Sequence, residues 1–278
     1  MRSLDDWIVV RGAGDLATGT IHALVCAGWP VVALESAHPA SIRREVSFSE
    51  AVYDGQKCVE GVTAVLAKDA AEALRLAEEG TPAILVDPDC RILDTCRPAV
   101  LVDAIIAKRC LGTHRGMAPL TIALGPGFEA GADADYVVET MRGPDLGRVI
   151  ETGFALPNTG IPGLVGGHTA QRVIHAPAAG MLQGIRKIGD RVEKGETIAV
   201  IEPVETQDPT SGSVPVSASL TGILRGLIRD GYLVTQGLKI ADIDPRPDSY
   251  PLCFAISDKS KRIAQSVLQI INYEYDII

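Results

Sequence analysis

The chain has 278 residues, of which 46% are apolar and 22% charged, so it is long enough for two domains and too apolar for broad disorder. Its formal net charge of −9 leaves no basic footprint, which argues against nucleic acids and acidic membrane surfaces as partners. No uncharged apolar run reaches the roughly 18 residues of a membrane helix, and the first residues do not form a signal peptide. We therefore expect a cytoplasmic protein.

The chain opens with a strand, a glycine turn, a helix and a second strand. Residues 7–10 predict a buried strand, residues 16–27 a helix, and residues 31–34 a strand that ends in Glu35. The turn between the first strand and the helix reads Arg11-Gly12-Ala13-Gly14-Asp15-Leu16-Ala17-Thr18-Gly19. This order is typical of a dinucleotide-binding unit, in which glycine backbone and the helix N-terminus hold phosphate and the acid holds a ribose hydroxyl. The alternative is a structural turn in which Asp15 simply caps the helix.

Later apolar runs predict the remaining strands of a mostly parallel sheet. These runs are residues 62–66, 83–86, 99–102, 120–124 and 136–138, and a helix is predicted at residues 69–79. Carboxylates follow four of the predicted strands, at Glu35, Asp87, Asp103 and Glu139. The carboxyl ends of parallel strands border the ligand crevice of an open sheet, so these acids indicate a site. Each acid could instead cap the turn or helix that follows it.

A second glycine loop at residues 125–127 completes the predicted site. We expect a cofactor to contact Gly12, Ala13, Gly14, Asp15, Thr18, Glu35, Gly125, Pro126 and Gly127. Catalytic roles cannot be assigned from the pattern, and the candidates are Asp87, Asp103, Lys108 and Arg109. The histidines lie without metal-ligand spacing, and none of the six cysteines forms a Cys-x-x-Cys pair, so no metal site is predicted and the thiols are expected to be reduced.

The second half of the chain contains a repeat with an offset of 42 residues. Its matched positions begin with Gly180, Gly184, Gly189, Val192, Gly195, Ile198 and Ile201, which recur as Gly222, Gly226, Gly231, Val234, Gly237, Ile240 and Ile243. Two such halves predict a small two-sheet β module. The pattern resembles the biotinyl/lipoyl-carrier fold, a barrel-sandwich hybrid. The segment that joins the halves, residues 202–221, contains no lysine, so the carrier function is not expected.

These elements predict an α/β chain with three parts. Residues 1–165 are expected to form a Rossmann-like ligand-binding domain, residues 166–246 the lipoyl-like module, and residues 247–278 a C-terminal segment. The last part contains an amphipathic helix from Ser257, because Ile263, Val267, Ile270 and Ile271 recur at helical spacing.

Several strings together resemble one family. They are the Arg11 to Ala17 turn, Phe48-Ser49-Glu50-Ala51-Val52-Tyr53-Asp54-Gly55, Leu124-Gly125-Pro126-Gly127-Phe128, Pro157-Asn158-Thr159-Gly160 and Ile256-Ser257-Asp258-Lys259. The chain is similar to the YqeB-type accessory proteins of the selenium-dependent molybdenum hydroxylase system. Its first domain is more distantly similar to the Rossmann domain of XdhC-type maturation factors. The resemblance implies a maturation factor that binds a nucleotide or the molybdenum cofactor, with the hydroxylase or its maturation proteins as partners and a possible homo-oligomer.

Two other functions remain open at this point. An NAD-dependent oxidoreductase would explain the glycines and Glu35, but no acid–base pair of the His or Tyr/Lys type supports hydride chemistry. A thiol-based sulfur or selenium transferase would use Cys90, Cys96 or Cys110, which lie near predicted strand ends.

Overall fold

The computed structural model describes residues 6–160, 163–203 and 212–276, which form two compact units. The first unit comprises Met1–Pro39, Ser47–Thr159 and Ile256–Ile278, and the second comprises Ala40–Val46 and Gly160–Ala255. The predicted parts ended instead at residues 165 and 246. Residues 1–5, part of the start that is not expected to be a signal peptide, and residues 204–211 of the lysine-free joining segment lie outside the described residues.

The first unit is built on a nine-stranded sheet with helices beside it. Its strands are β1 (Ile8–Arg11), β2 (Val31–Glu35), β3 (Gln56–Val59), β4 (Val62–Ala67), β5 (Ala83–Val86), β6 (Val100–Asp103), β7 (Leu120–Leu124), β9 (Tyr136–Val138) and β10 (Val149–Ile150). A separate two-stranded sheet pairs β8 (Glu129–Ala130) with β11 (Gly153–Phe154). The helices are α1 (Asp15–Cys26), α2 (Ala51–Asp54), α3 (Ala70–Glu78) and α4 (Asp258–Glu274).

The large sheet has the order β10-β9-β7-β6-β1-β2-β5-β4-β3. The seven strands from β9 to β4 are parallel, and the two edge strands are antiparallel. The central strands are buried along their whole length, which explains why their sequences are continuously apolar rather than alternating.

The predicted Rossmann-like architecture is wrong. In a Rossmann half successive strands lie side by side, whereas β5 here enters the sheet between β2 and β4. The crossovers after β6 and β7, residues 104–119 and 125–135, also contain no helix, so the second half lacks the βαβ units that define the fold. Loops at the carboxyl edge replace those helices and supply the residues of the candidate site.

Helix α4 belongs to the first unit although it follows the second unit in the chain. The predicted Ser257 cap is confirmed, because Ser257 Oγ accepts a hydrogen bond from the Ser260 N–H at 3.1 Å. Helix α4 packs on α1, and the Ser260 hydroxyl donates to the Asp15 carbonyl at 3.2 Å. Gly19 permits this close approach, since a Cβ atom there would lie 2.1 Å from Ser260 Oγ.

The second unit contains two four-stranded antiparallel sheets. Their strands are β12 (Val173–His175), β13 (Gly180–Gly184), β14 (Arg191–Val192), β15 (Thr197–Glu202), β16 (Val214–Ser217), β17 (Gly222–Leu227), β18 (Leu233–Val234) and β19 (Lys239–Asp244). The sheet orders are β12-β19-β17-β14 and β16-β15-β13-β18. The repeat is confirmed, because β13, β14 and β15 recur as β17, β18 and β19 at the same offset of 42 residues. Each half places its short strand in the other half's sheet, as β14 pairs with β17 and β18 with β13.

The predicted biotinyl/lipoyl-like barrel is also wrong. The two sheets remain separate and share one apolar core rather than closing on each other. The unit is also not formed from one continuous segment, because residues 40–46 are part of it. The Leu227 N–H donates to the Ile42 carbonyl at 2.8 Å, and the Ile42 side chain packs against the core.

Candidate functional site

The carboxylates at the ends of β2 and β5 bind their own backbone. Both Glu35 oxygens accept amide hydrogens, from Ala13 at 2.9 Å and from Ser36 at 2.8 Å. Asp87 accepts the N–H groups of Arg91 and Ile92, both at 2.9 Å, and so begins the 3₁₀ turn Arg91–Asp94. Each acid therefore satisfies amides that would otherwise have no partner at the edge of the sheet.

The carboxylates after β6 and β9 have the same role. Glu139 is fully buried and accepts the N–H groups of Met141 and Leu156, both at 2.7 Å. Asp103 accepts the Ile105 N–H at 3.1 Å and the Thr113 hydroxyl at 2.5 Å. Capping thus accounts for all four strand-end acids, and their recurrence reflects the loops they close.

The backbone of the first glycine loop forms hydrogen bonds with other residues of the protein itself. The Ala13 N–H, which would face a phosphate, is bound by Glu35. The Ala13 carbonyl accepts the Ser49 N–H at 2.8 Å and the Thr18 hydroxyl at 3.1 Å, and Thr18 Oγ1 accepts the Phe48 N–H at 2.9 Å. Ser47, Phe48 and Ser49 are completely buried. This part of the predicted site is a closed structural turn.

Asp15 lies in the first turn of α1 but does not cap it. The N-cap residue is Gly14, which has no side chain that could cap the helix. Gly12 has φ +95°, and a Cβ atom there would lie 3.2 Å from the Ala104 carbonyl oxygen. The turn after β1 therefore contacts the start of the loop after β6.

Residues 104–112, which we call the neck loop, form a loop closed at its base. Thr113 donates to Asp103 there, and the buried Arg11 guanidinium donates to the Asp103 carboxylate at 3.4 Å and to the Thr113 hydroxyl. Arg11 also donates to the Leu111 carbonyl at 3.2 Å. Compact loops with adjoining ends are frequently functional.

The neck loop contains two residues in the left-handed region. Ile106 has φ +58° and Lys108 has φ +64°. Such a backbone is unfavourable for side chains with a Cβ atom, and most of all for a β-branched residue such as Ile106. The hydrogen bonds at Asp103 and the contacts of the loop with its neighbours hold this conformation in place.

The second glycine loop supports the tip of the neck loop. Gly127 has φ +107°, and a Cβ atom there would lie 2.4 Å from the backbone nitrogen of Arg109. Gly125 has φ +81° and faces the Thr140 hydroxyl, which a Cβ atom would approach to 2.6 Å. Pro126 between them is partly buried. The structure thus brings the backbone of Lys108 and Arg109 next to Gly127, and the binding of a cofactor by these residues stays a prediction.

Lys108 and Arg109 are both exposed at this edge. Neither side chain forms an ion pair with any residue in the described ranges. Two unpaired cations beside glycine backbone can bind a phosphate or carboxylate group through charge-assisted hydrogen bonds. Arg11 and Thr113, which position the loop, were not among the predicted site residues. The sequence feature that could have identified Arg11 is its charge at the end of a buried apolar strand.

The candidate cysteines differ in their surroundings. Cys90 is 5% exposed, and burial raises the pKa of its thiol, an effect that the nearby Arg11 guanidinium opposes. Cys96 packs against the core that contains Cys90, and Cys110 donates to the Thr113 carbonyl at 3.1 Å. Burial disfavours a reactive thiolate at Cys90, whereas Cys96 and Cys110 are partly exposed.

A cavity of about 350 Å³ lies at the opposite edge, at the amino ends of β7 and β9. It is lined by Arg115, Pro119, Leu120, Gly131, Asp135, Tyr136, Glu151 and Glu274. Arg115 donates to Asp135 Oδ1 at 2.6 Å, and Tyr136 donates to Glu274. Most of its polar groups therefore bind one another.

Two further features are absent from residues 6–160, 163–203 and 212–276. Across these ranges no three His, Cys, Asp or Glu side chains are grouped so that they could hold a metal ion. None of the helices in the same ranges has both the length and the apolar character that crossing a membrane requires.

Comparison with known proteins identifies a similar bacterial sequence. No family model matches the chain. The protein named "Uncharacterized protein YqeB" from Escherichia coli (strain K12) is 48% identical over 264 residues, which are 95% of this chain and 47% of that protein. The resemblance to YqeB-type proteins is confirmed over those residues. The chain spans about half the length of this curated relative.

Solved structures show only a weak likeness. An aspartoacylase family protein from Mesorhizobium loti is 12% identical, covers 87% of this chain and 85% of its own, and gives a TM-score of 0.32. A succinylglutamate desuccinylase/aspartoacylase from Rhodobacter sphaeroides is 16% identical, with coverage of 88% and 87% and a TM-score of 0.31. Scores this low support no conclusion about this chain.

The predicted role as a maturation factor for a selenium-dependent molybdenum hydroxylase is wrong. The nucleotide or cofactor that this role requires cannot use the Gly12 turn, because Glu35 and Ser49 already bind the backbone of that turn. An NAD-dependent oxidoreductase would need the same amides, so the closed turn argues against it as well. A thiol transferase would need a reactive thiolate, which burial disfavours at Cys90.

Proposed function

We propose that the first unit binds a small anion, bearing a phosphate or carboxylate group, at the neck loop. Its direct ligands are the Lys108 and Arg109 side chains, beside the backbone of Gly127. The observation that carries the proposal is that a strained loop holds two unpaired cations at the carboxyl edge of a parallel sheet. Ligands of open α/β sheets bind at this edge.

The cost of the loop conformation supports a binding role. A residue other than glycine in the left-handed region costs on the order of 1–3 kcal/mol, and the loop contains two within three positions. The Arg11–Asp103 pair, the Thr113 hydroxyl and the Gly127 contact offset this cost. Strain of this kind is concentrated at ligand clamps and active sites.

The closed turn after β1 restricts where the ligand can lie. Because the Ala13 amide and carbonyl are already bound, the Ala13 backbone offers the anion no partner, and the proposed ligands lie on the β6 and β7 side of the edge. Thr140 adds a hydroxyl next to Gly125 on that side. The proposed site therefore comprises Lys108, Arg109, Gly125, Gly127 and Thr140.

Titration calorimetry with pyrophosphate and with citrate tests the proposal and separates the two kinds of head group. The variant K108M/R109M removes both charges and keeps most of the side-chain volume. We expect it to bind at least about tenfold more weakly than the wild type, because each lost charge-assisted hydrogen bond contributes roughly 1.5–3 kcal/mol.

The matched control is K68M/R97M, which removes the same charges at exposed positions away from the site. Lys68 follows β4, four strand spacings or about 19 Å from β6, and Arg97 precedes β6 at the amino edge. We expect this variant to bind like the wild type. Equal losses in both double variants, or binding of neither anion by the wild type, would refute the site.

A further inference from the structure

The exposed surface of the neck loop is aliphatic as well as cationic. Ile105 is 38% exposed and Leu111 is 42% exposed, and they lie on either side of Lys108 and Arg109 along the loop. A single exposed aliphatic side chain is ordinary on a protein surface. Here two of them flank two unpaired cations, so one nine-residue loop exposes apolar and positive side chains together.

The two aliphatic residues are anchored to the same buried ion pair. The Ile105 N–H donates to Asp103 Oδ1 at 3.1 Å, and the Leu111 carbonyl accepts from Arg11 Nη2 at 3.2 Å. Arg11 and Asp103 are directly paired in the register of β1 and β6. The two ends of the loop are therefore held side by side. The positions of Ile105 and Leu111 do not depend on a bound ligand.

The floor beneath the loop tip has no side chain. Gly127 is exposed, and the backbone of Lys108 and Arg109 lies so close to it that no side chain fits there. The surface at Gly127 is therefore formed by backbone alone. A ligand that lies on this surface can place an anionic group at the cations. The rest of the ligand then contacts the Ile105 and Leu111 side chains and the Gly127 backbone.

From this juxtaposition we propose that the ligand is an amphiphilic anion: a phosphate, phosphonate or carboxylate head group attached to a flat or aliphatic apolar body. The inference rests on the anion-binding function proposed above and adds the chemistry of the rest of the ligand. Ile105 and Leu111 are its specificity-determining residues. A fully polar anion uses only the cations and binds more weakly than an amphiphilic anion of equal charge.

The test compares two probes with the same head group, methylphosphonate and phenylphosphonate, by titration calorimetry on the full chain. We expect the wild type to bind phenylphosphonate about tenfold tighter, the change expected when roughly 60 Å² of apolar surface leaves water. In I105S/L111S the preference should fall to about twofold or less, with methylphosphonate binding unchanged. Circular dichroism and thermal unfolding check that the variants are folded.

The control variant is V86S, which changes another exposed aliphatic residue, 42% exposed, at the end of β5. It should keep the full preference for the phenyl probe. A wild type that binds both probes equally, a preference that survives I105S/L111S, or a preference lost equally in V86S would overturn the inference while leaving the anion site intact. If neither phosphonate binds although pyrophosphate or citrate does, the inference fails and the anion site stands; if none of the four binds, both proposals fail.

Discussion

Arg11 and Asp103 form a buried ion pair at the base of the neck loop, with Arg11 Nη1 3.4 Å from Asp103 Oδ2. Arg11 ends β1 and Asp103 ends β6, and the two residues are opposite each other in the parallel register. The pair joins two central strands to the loop that carries Lys108 and Arg109. Its integrity determines whether the loop keeps its shape.

The first prediction concerns this pair. D103N removes the carboxylate charge and leaves the Arg11 guanidinium buried without its counter-ion. We expect the free energy of unfolding in urea to fall by about 3 kcal/mol or more, the range measured when one partner of a buried pair is removed. Anion binding at the neck loop should weaken as well, because Asp103 also holds Ile105 and Thr113.

Two variants control for the loss of a carboxylate alone. D89N breaks an exposed ion pair with Arg91 and should change the free energy of unfolding by less than about 0.5 kcal/mol. R11M/D103N removes both buried charges and should recover part of the stability lost in D103N. A D103N protein as stable as D89N would show that the pair does not hold the loop.

The second prediction separates strain from charge at Lys108. K108G relieves the left-handed conformation and removes the charge, whereas K108A removes the charge and keeps the strain. We expect K108G to be about 1 kcal/mol more stable than K108A in urea unfolding. Both should bind pyrophosphate equally weakly if the charge alone matters for affinity. Equal stability of the two variants would show that the loop is not strained at this residue.

The third prediction concerns pH and the contact between β9 and α4. The hydrogen bond to Glu274 raises the pKa of Tyr136 from 10 to about 12, which means that the folded protein favours the neutral phenol. The stabilisation from this group is therefore complete below pH 10 and is lost as the pH rises toward 12. The difference in unfolding free energy between the wild type and Y136F should shrink across that interval.

E274Q serves as the comparison, because it keeps Tyr136 and removes the carboxylate that accepts the hydrogen bond from the phenol. The ionisation of Tyr136 should move to lower pH in this variant. A constant difference for Y136F from pH 10 to about 12 would contradict the assigned hydrogen bond. Ultraviolet titration of the phenol provides a second measurement, with the late ionisation absent in Y136F.

Most individual elements could be predicted from the sequence, whereas their order in the sheet could not. The buried apolar runs at β1, β2, β5 and β7 and the glycine-ended helices carry their own local signals. The insertion of β5 between β2 and β4 is a matter of tertiary packing and has no local signature. The 42-residue repeat was predictable because glycines recur at equivalent positions, and at one pair of these positions the backbone leaves no room for a side chain. A Cβ atom at Gly180 would lie 2.3 Å from the Glu202 oxygen, and one at Gly222 would lie 2.4 Å from the Asp244 oxygen.

The location of the candidate residues in the sheet could be predicted from the sequence, whereas their hydrogen-bond partners could be predicted only in part. Sequence pattern placed Lys108, Arg109 and the second glycine loop at the carboxyl edge of the sheet, and the structure brings them together. It could not show that Glu35 and Asp87 are occupied by neighbouring amides, because the ligand-binding and capping roles of a strand-end acid have the same sequence pattern. The left-handed backbone at Ile106 also gave no signal, since isoleucine is among the residues least suited to it.

The position of α4 has a consequence for how the protein is made. Its partner α1 is synthesised first, and the ribosome must translate residues 27–257 before α4 begins to emerge. At about 5–20 residues per second, the apolar face of α1 waits roughly 12–46 s for α4 to cover it. During that interval the nascent chain exposes a surface that chaperones bind, and a message truncated before α4 would yield a product prone to aggregation.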